Sequence, residues 1–346
     1  MDFCEELEVD PLLRDVEDPI VFFQVFGQRY RDGELSKSGK RVRSRTVEDE
    51  LRAIGTTMAS LGAEDPRLTV QGKHVPRLAR LFKGWQRDDA PTKRVKPVPL
   101  AIVNRVYERA RKDHDYAVAD LCYIGFFFIS RPGETTYSTS EDSQTVPIRL
   151  KDISFWSDRR MYNAATIPMA ALESVGATTL VLENQKNGVQ GQGTTHGRSG
   201  HLTACPVQAV KRRVRYLRQH NMPPDTPIFT VVSKSTGRHY WISSRHVTDD
   251  LRRAAADLHS TLGIPPKDIS ARSLRPGGAT AMLCAGIDRD ITRLVGRWKS
   301  DEMLKYLHAQ ATPQMQHYAR QMLTAGHFTY RPTDDVTQPS TFNVAA

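Results

Sequence analysis

The sequence predicts a mainly α-helical chain with a small antiparallel β-sheet, an α+β protein in two domains. Three observations predict it. Apolar residues recur at three- and four-residue spacing through most of the 346 residues. β-Branched runs with turn signals cluster between roughly residues 145 and 190. The stretch "DDAPTKRVKPVP", Asp88 to Pro99, carries three prolines and three cations in a dozen residues, which is linker chemistry. The expected organisation is an acidic leader (1–18), a helical domain (19–88), a linker (89–96), a larger domain (97–325) and a flexible polar tail (326–346).

In chain order, "PIVFFQVFGQRYR" reads as a first helix. The basic connector "SKSGKRVRSR" follows, and Lys37, Lys40, Arg41, Arg43 and Arg45 are its candidate phosphate contacts. In "TVEDELRAIGTTMASLG", Leu51, Ile54, Met58 and Leu61 mark one helix face, with Thr46 as N-cap. Val75, Leu78, Leu81, Phe82 and Trp85 mark the next helix, and the linker cations Lys93, Arg94 and Lys96 join the candidate DNA contacts. The second domain begins helical, up to about Ser130. "TVPIRLKDISFW" and "TTLVLENQ" are strand candidates, and the Asn-Gly of "QKNGVQG" sets Lys186 just before a tight turn. "GQGTTHGRSGH" reads as a glycine-rich loop. In "CPVQAVKRRVRYLRQH", Val207, Val210, Val214 and Leu217 form an apolar stripe opposite Lys211, Arg212, Arg213, Arg215 and Arg218, a charge run expected on a solvated face. From Thr248 onward the pattern is helical again.

Composition narrows the function. The net charge of +10 and pI near 9.5 favour a polyanionic partner, and residues 1–20 alone carry −7, so the remainder is more basic than the total suggests. Four widely separated cysteines form neither a disulfide framework nor a CxxC zinc site. The longest apolar run, Leu121 to Ser130, is too short to span a membrane. The expectation is a soluble intracellular protein without a signal peptide. His196, His201 and Cys205 lack a fourth metal ligand, so no metal and no cofactor is expected.

The chemistry concentrates in "ARSLRPGGATAMLCAGIDRDITRLVGRWKSDEMLKYLH", Ala271 to His308, which reads as three short helices joined at glycine corners. Ala279, Met282 and Leu283 line the first, Ile291, Leu294 and Val295 the second, and Met303, Leu304 and Leu307 the third. Arg275 opens the first, where free backbone N–H groups also favour an anion. Arg297, Trp298 and Tyr306 crowd the last joint, either as a basic corner with core aromatics or as an anion site beside a tyrosine. "FFFISRPGE" adds Arg131 at the end of an apolar helix, a costly place for an unpaired guanidinium, with Glu134 three residues on to orient it.

The boxes "SRPGE", "ENQKNGVQG", "RSLRPGGAT" and "GRWKSDEMLKYL" resemble, in order, those of the tyrosine recombinases, or phage-integrase superfamily. The resemblance is nearest to the branch in eukaryotic DIRS-like and Crypton-like mobile elements and covers residues 19–325, implying a helical core-binding domain before a catalytic domain. It implies that Arg131 and Arg275 grip the scissile DNA phosphate and that Tyr306 attacks it, leaving a 3′-phosphotyrosyl link. Lys186 would protonate the departing 5′ oxygen, and Trp298 would pack on the phosphate. No metal is implied, because the covalent link conserves the phosphodiester energy. The physics asks for such a set: a phenol with a pKa of about 10 needs nearby positive charge to serve as nucleophile at neutral pH.

One residue departs from the pattern: Arg272 stands where relatives carry histidine or lysine, and a guanidinium cannot act as a base. The boxes also leave open whether Arg297 or Trp298 meets the phosphate. The expected function is a site-specific recombinase or integrase of a mobile element. Alternatives are a catalytically impaired, domesticated DNA-binding relative and a type IB topoisomerase-like strand transferase. Tyr318 is the rival nucleophile. Expected partners are double-stranded DNA and further copies of the chain, monomeric in solution and tetrameric on DNA. The expected place is the nucleus in a eukaryote, otherwise the cytoplasm with its DNA.

Overall fold

The computed structural model describes residues 2–91, 95–137, 145–157, 160–184 and 190–298. It divides the chain into two compact units, with the boundary between Lys93 and Arg94. No helix among the described residues is long and apolar enough to cross a membrane.

The first unit contains α1 (Asp2–Glu6), α2 (Pro19–Asp32), α3 (Ser44–Ser60) and α4 (Pro76–Asp88). Their apolar faces meet at Phe23, Val47, Leu51, Met58, Leu78, Phe82 and Trp85. The acidic leader is part of this packing: Leu13 is buried, and the Phe3 ring lies 4.9 Å from Phe22 and 5.2 Å from Phe26. Asp18 caps α2 by accepting the Ile20 N–H at 3.1 Å, and Gly33, at φ 100°, ends it in the left-handed region that glycine enters without a Cβ penalty.

Two expectations are corrected here. α3 starts at Ser44, not after Thr46, because its cap comes from a distance: the Asp89 carboxylate accepts the Ser44 N–H at 2.9 Å and its hydroxyl at 2.5 Å. Leu61 lies past the helix end and is exposed, while Val47 takes its place in the core stripe. Asp89 also pairs at 2.8 Å with Arg31, whose buried guanidinium donates to the Trp85 carbonyl, so the residue after α4 is locked into this unit.

The second unit is built around α6 (Asp113–Phe127), the apolar run seen in the sequence, with every residue from Ala117 to Phe126 buried. A helix apolar on all sides belongs in a core. It packs with α5 (Leu100–Arg109) before it, and short α7 (Pro132–Thr135) follows it. β1 (Ile153–Ser157), β2 (Arg160–Asn163), β3 (Ala177–Asn184) and β4 (Gln190–Gly197) form an antiparallel sheet in the order β2-β1-β3-β4, with α8 (Met169–Ser174) between β2 and β3. Of "TVPIRLKDISFW" only the last part is strand; Leu150–Asp152 is a helical turn. The glycine-rich segment expected as loop is β4 in its first half, paired with β3 from Ala177↔Gly197 to Asn184↔Gln190.

After the sheet come α9 (Pro206–Gln219), the hairpin β5 (Thr230–Val232) and β6 (His239–Trp241), then α10 (Ser244–Asp257) and α11 (His259–Leu262). The apolar stripe of α9 is buried as expected, but its cations do not form a solvated face. Lys211 donates to the Glu173 carbonyl and carboxylate, Arg213 to the Ile228 and Thr230 carbonyls, and Arg212 meets buried Asp120 at 2.6 Å. Acceptors left at the ends of neighbouring elements need donors, and this helix supplies them.

The last described elements are α12 (Leu274–Cys284) and α13 (Arg289–Gly296). The paired glycines Gly277 and Gly278 let α12 approach the main chain of Val98 and Phe126 more closely than any Cβ would allow. Ala279 is buried as expected, but Ile291 and Leu294 are 48% and 63% exposed, since nothing among the described residues covers that face of α13.

Candidate active site

The site begins where α6 stops. Ile129 takes a left-handed φ of 50°, which turns the chain so that Arg131 sits at the N-cap of α7, four residues beyond the helix and not at its last turn as expected. Glu134, fully buried, folds back on it: its carboxylate accepts the Arg131 N–H at 2.9 Å and the guanidinium at 3.1 Å. The Arg131 side chain is 26% exposed.

α12 delivers Arg275 to the same place from 144 residues away. One of its guanidinium nitrogens donates to the Ile129 carbonyl at 2.7 Å, and the other donates to the Gly296 carbonyl at the end of α13. Carbonyls at helix C-termini are the electronegative acceptors a guanidinium suits. Arg275 is held and almost wholly buried, with the Trp298 ring 4.4 Å from its guanidinium carbon. Glycine at position 296 lets the Trp298 ring lie where it does, because a Cβ there would run into the ring.

Arg297 and Trp298 have different surroundings. Arg297 adopts a left-handed backbone (φ 57°) and turns inward; its side chain is 2% exposed and donates to Glu134 at 2.7 Å. Burial lowers its pKa; Glu134 opposes that shift and Arg131 adds to it. Its Nε has no hydrogen-bond partner among the described residues. Trp298 is half-buried and covers Arg275. Arg272, in the turn before α12, is exposed.

Lys186 belongs to the five-residue connection between β3 and β4, and Lys186, Tyr306 and Tyr318 all lie outside the described residues. So do Lys93 and Arg94, and the predicted third helix with Met303, Leu304 and Leu307. Among the remaining basic candidates, Lys37, Lys40 and Arg41 are exposed, Arg43 donates to the Pro91 carbonyl at 3.2 Å, and Arg45 pairs within its own helix with Glu48 and Asp49. Lys96 pairs with Asp268 at 3.2 Å, which pins the chain ahead of α5.

No group of three or more His, Cys, Asp or Glu side chains among the described residues is arranged to hold a metal ion. The His196 ring packs edge-on against Phe128 at 4.7 Å, where burial lowers its pKa. His201 Nδ1 accepts the Thr203 and Ala204 N–H groups, and Cys205 stands at the N-cap position of α9. Sequence reasoning missed the contact of Glu134 with Arg297 and the use of the Ile129 carbonyl. Glu134, three residues after Arg131, was the one local signal of the first; a backbone acceptor leaves none.

No family model matches the sequence, and no curated protein matches it. Solved structures do match. The post-cleavage complex of the XerH site-specific recombinase with palindromic difH is 11% identical, with a TM-score of 0.50 over 90% of this chain and 73% of that one. The Tn1549 transposon integrase with right-end DNA is 12% identical (TM-score 0.44; 86% and 84% covered). The lambda integrase dimer on a core site is 14% identical (TM-score 0.41; 86% and 90% covered). The helical unit with its small antiparallel sheet is the fold of tyrosine-recombinase catalytic domains.

Proposed function

We propose that this chain, having that fold, is a DNA breaking-and-rejoining recombinase or integrase of a mobile element, with Tyr306 as nucleophile. One observation carries the reading: arginines from two boxes far apart in sequence meet at one turn, where Arg275 is bonded to the Ile129 carbonyl two residues before Arg131, and a buried carboxylate orients Arg131. Permanently charged, planar guanidinium groups held in fixed directions suit the non-bridging oxygens of a phosphodiester.

In this reading Arg131 and Arg275 stabilise the charge that grows on the phosphate, and Trp298 shields that face from water. The Tyr306 oxygen forms the bond to phosphorus as the bond to the 5′ oxygen breaks. Lys186, carried by the β3–β4 connection, gives its proton to the departing 5′ oxygen, and the phenol proton passes to solvent. Rejoining reverses each transfer. Arg272 can stabilise charge but cannot accept a proton. Its presence favours a second reading, a DNA-binding relative that no longer cuts.

The experiment uses nicked suicide duplexes carrying the ends of the proposed element. An SDS-resistant protein–DNA adduct forms with the wild type, and Tyr306→Phe abolishes it while leaving DNA binding intact. An adduct that survives in Tyr306→Phe and disappears in Tyr318→Phe reassigns the nucleophile. DNA binding with no adduct in the wild type supports the second reading.

A further inference from the structure

We infer that Arg297 is a positioning residue that shares the negative charge of Glu134 and so leaves more of the positive field of Arg131 directed at DNA. The inference deepens the proposed function and rests on it for the chemistry, but its first measurement requires no cleavage.

The geometry distributes one carboxylate over two guanidinium groups. One oxygen of Glu134 takes the Arg131 side chain at 3.1 Å; the other takes the Arg131 N–H at 2.9 Å and Arg297 at 2.7 Å, the shortest of the three. Arg297 is 2% exposed and Arg131 26%, so of the two guanidinium groups on Glu134 it is Arg131 that has surface open to a ligand. Among the described residues, Arg131, Arg275 and Arg297 against Glu134 leave an excess of two positive charges. Without Arg297, Arg131 is the one cation among the described residues bonded to that carboxylate, and the positive charge of this group falls by one.

The protein bears two costs to hold Arg297 in place. Its backbone sits in the left-handed region that non-glycine residues rarely adopt, and its buried Nε has no acceptor among the described residues. A corner needing only a turn would use glycine, and a corner needing only bulk would use an apolar side chain. A buried guanidinium at 2.7 Å from a fully buried carboxylate is a charge placed for its effect on that carboxylate. The approach of Arg131 also contributes to depressing the pKa of Arg297, as two cations sharing one anion must.

The test uses full-length protein and random-sequence duplex DNA, with affinity measured by fluorescence anisotropy across a salt series. Each phosphate contact contributes about 0.9 to the slope of log K against log salt. Arg297→Met lowers the slope by about one contact, Arg297→Lys preserves it, and Arg297→Met combined with Glu134→Gln restores it, because no carboxylate then competes for Arg131. On suicide substrates Arg297→Met slows adduct formation roughly tenfold or more. A role confined to stability leaves the slope of folded Arg297→Met unchanged, which overturns the inference, as does a double variant no steeper than Arg297→Met. If Arg297→Met does not fold, Arg297→His replaces it. Its slope at pH 5.5, with the imidazole charged, then exceeds its slope at pH 8, and equal slopes overturn the inference. A wild type that forms no adduct counts against the recombinase reading, while the slopes still decide the role of Arg297.

Discussion

Gly278→Ala tests the close approach that sets Arg275. A Cβ at position 278 would lie well inside contact distance of the Phe126 carbonyl oxygen, and 3.0 Å from its carbonyl carbon. The neighbour is backbone at the end of a buried helix, so no side chain can swing aside. α12 must back away from α6 by about 1 Å. Overpacking of this kind costs about 1–3 kcal/mol and more where backbone meets backbone, while alanine returns about 1 kcal/mol of helix propensity. A net loss of about 2 kcal/mol or more lowers the melting temperature by roughly 4–8 °C for a unit of this size. Gly84, inside α4, is the control: a Cβ there meets nothing within 4 Å, so Gly84→Ala stabilises its unit by up to about 1 kcal/mol. Because Arg275 is the second residue of α12, the same displacement lifts its guanidinium from the Ile129 carbonyl, and a misplacement of about 1 Å costs on the order of a hundredfold in rate. Scanning calorimetry and the adduct assay read the two effects. A Gly278→Ala protein that melts at or above the wild-type temperature refutes the packing argument, and one that melts lower but cleaves at full rate refutes the link from α12 to Arg275.

Replacing the exposed Lys37, Lys40 and Arg41 with alanine makes the salt dependence of DNA binding shallower by up to about 0.9 per residue, whereas Lys96→Ala, which breaks the pair with Asp268, leaves the slope unchanged. Lys186→Ala slows cleavage with little change in affinity, and a 5′-phosphorothiolate, whose leaving group needs no proton, restores the rate; failure of that rescue removes Lys186 as the acid. Burial pushes the Asp120 carboxyl up to about 6 against the opposing pull of Arg212. The folded protein then binds this proton more tightly than the unfolded chain, so the group's contribution to stability is complete below the unfolded value of 3.8 and is lost as pH rises through about 6. Urea unfolding of wild type and Asp120→Asn checks it: the stability of the wild type relative to the variant falls between pH 4 and pH 7, and a constant difference refutes the assignment.

The sequence by itself determined whatever rests on contacts between near neighbours. The stripe of α9 and the all-round apolar character of α6 follow from the 3.6-residue period, and both are core. Arg131, Glu134 and Arg275 were legible because a charge beside an apolar run, or at a helix start, is locally improbable. The tertiary structure decided what depends on partners remote in the chain. β4 escaped notice because "GQGTTHG" has little β-propensity and is made a strand by its backbone ladder to β3. The cap of α3 is Asp89, 45 residues away, and the cations of α9 are buried because carbonyls and carboxylates from other elements reach them. Arg297 and Trp298, adjacent in sequence, part ways for the same reason: a left-handed turn after Gly296 sends one side chain inward to a carboxylate 163 residues away and lays the other over Arg275. Periodicity records which face of a segment is apolar, but the energy of a buried charge depends on the group across from it, and only the folded chain brings that group near.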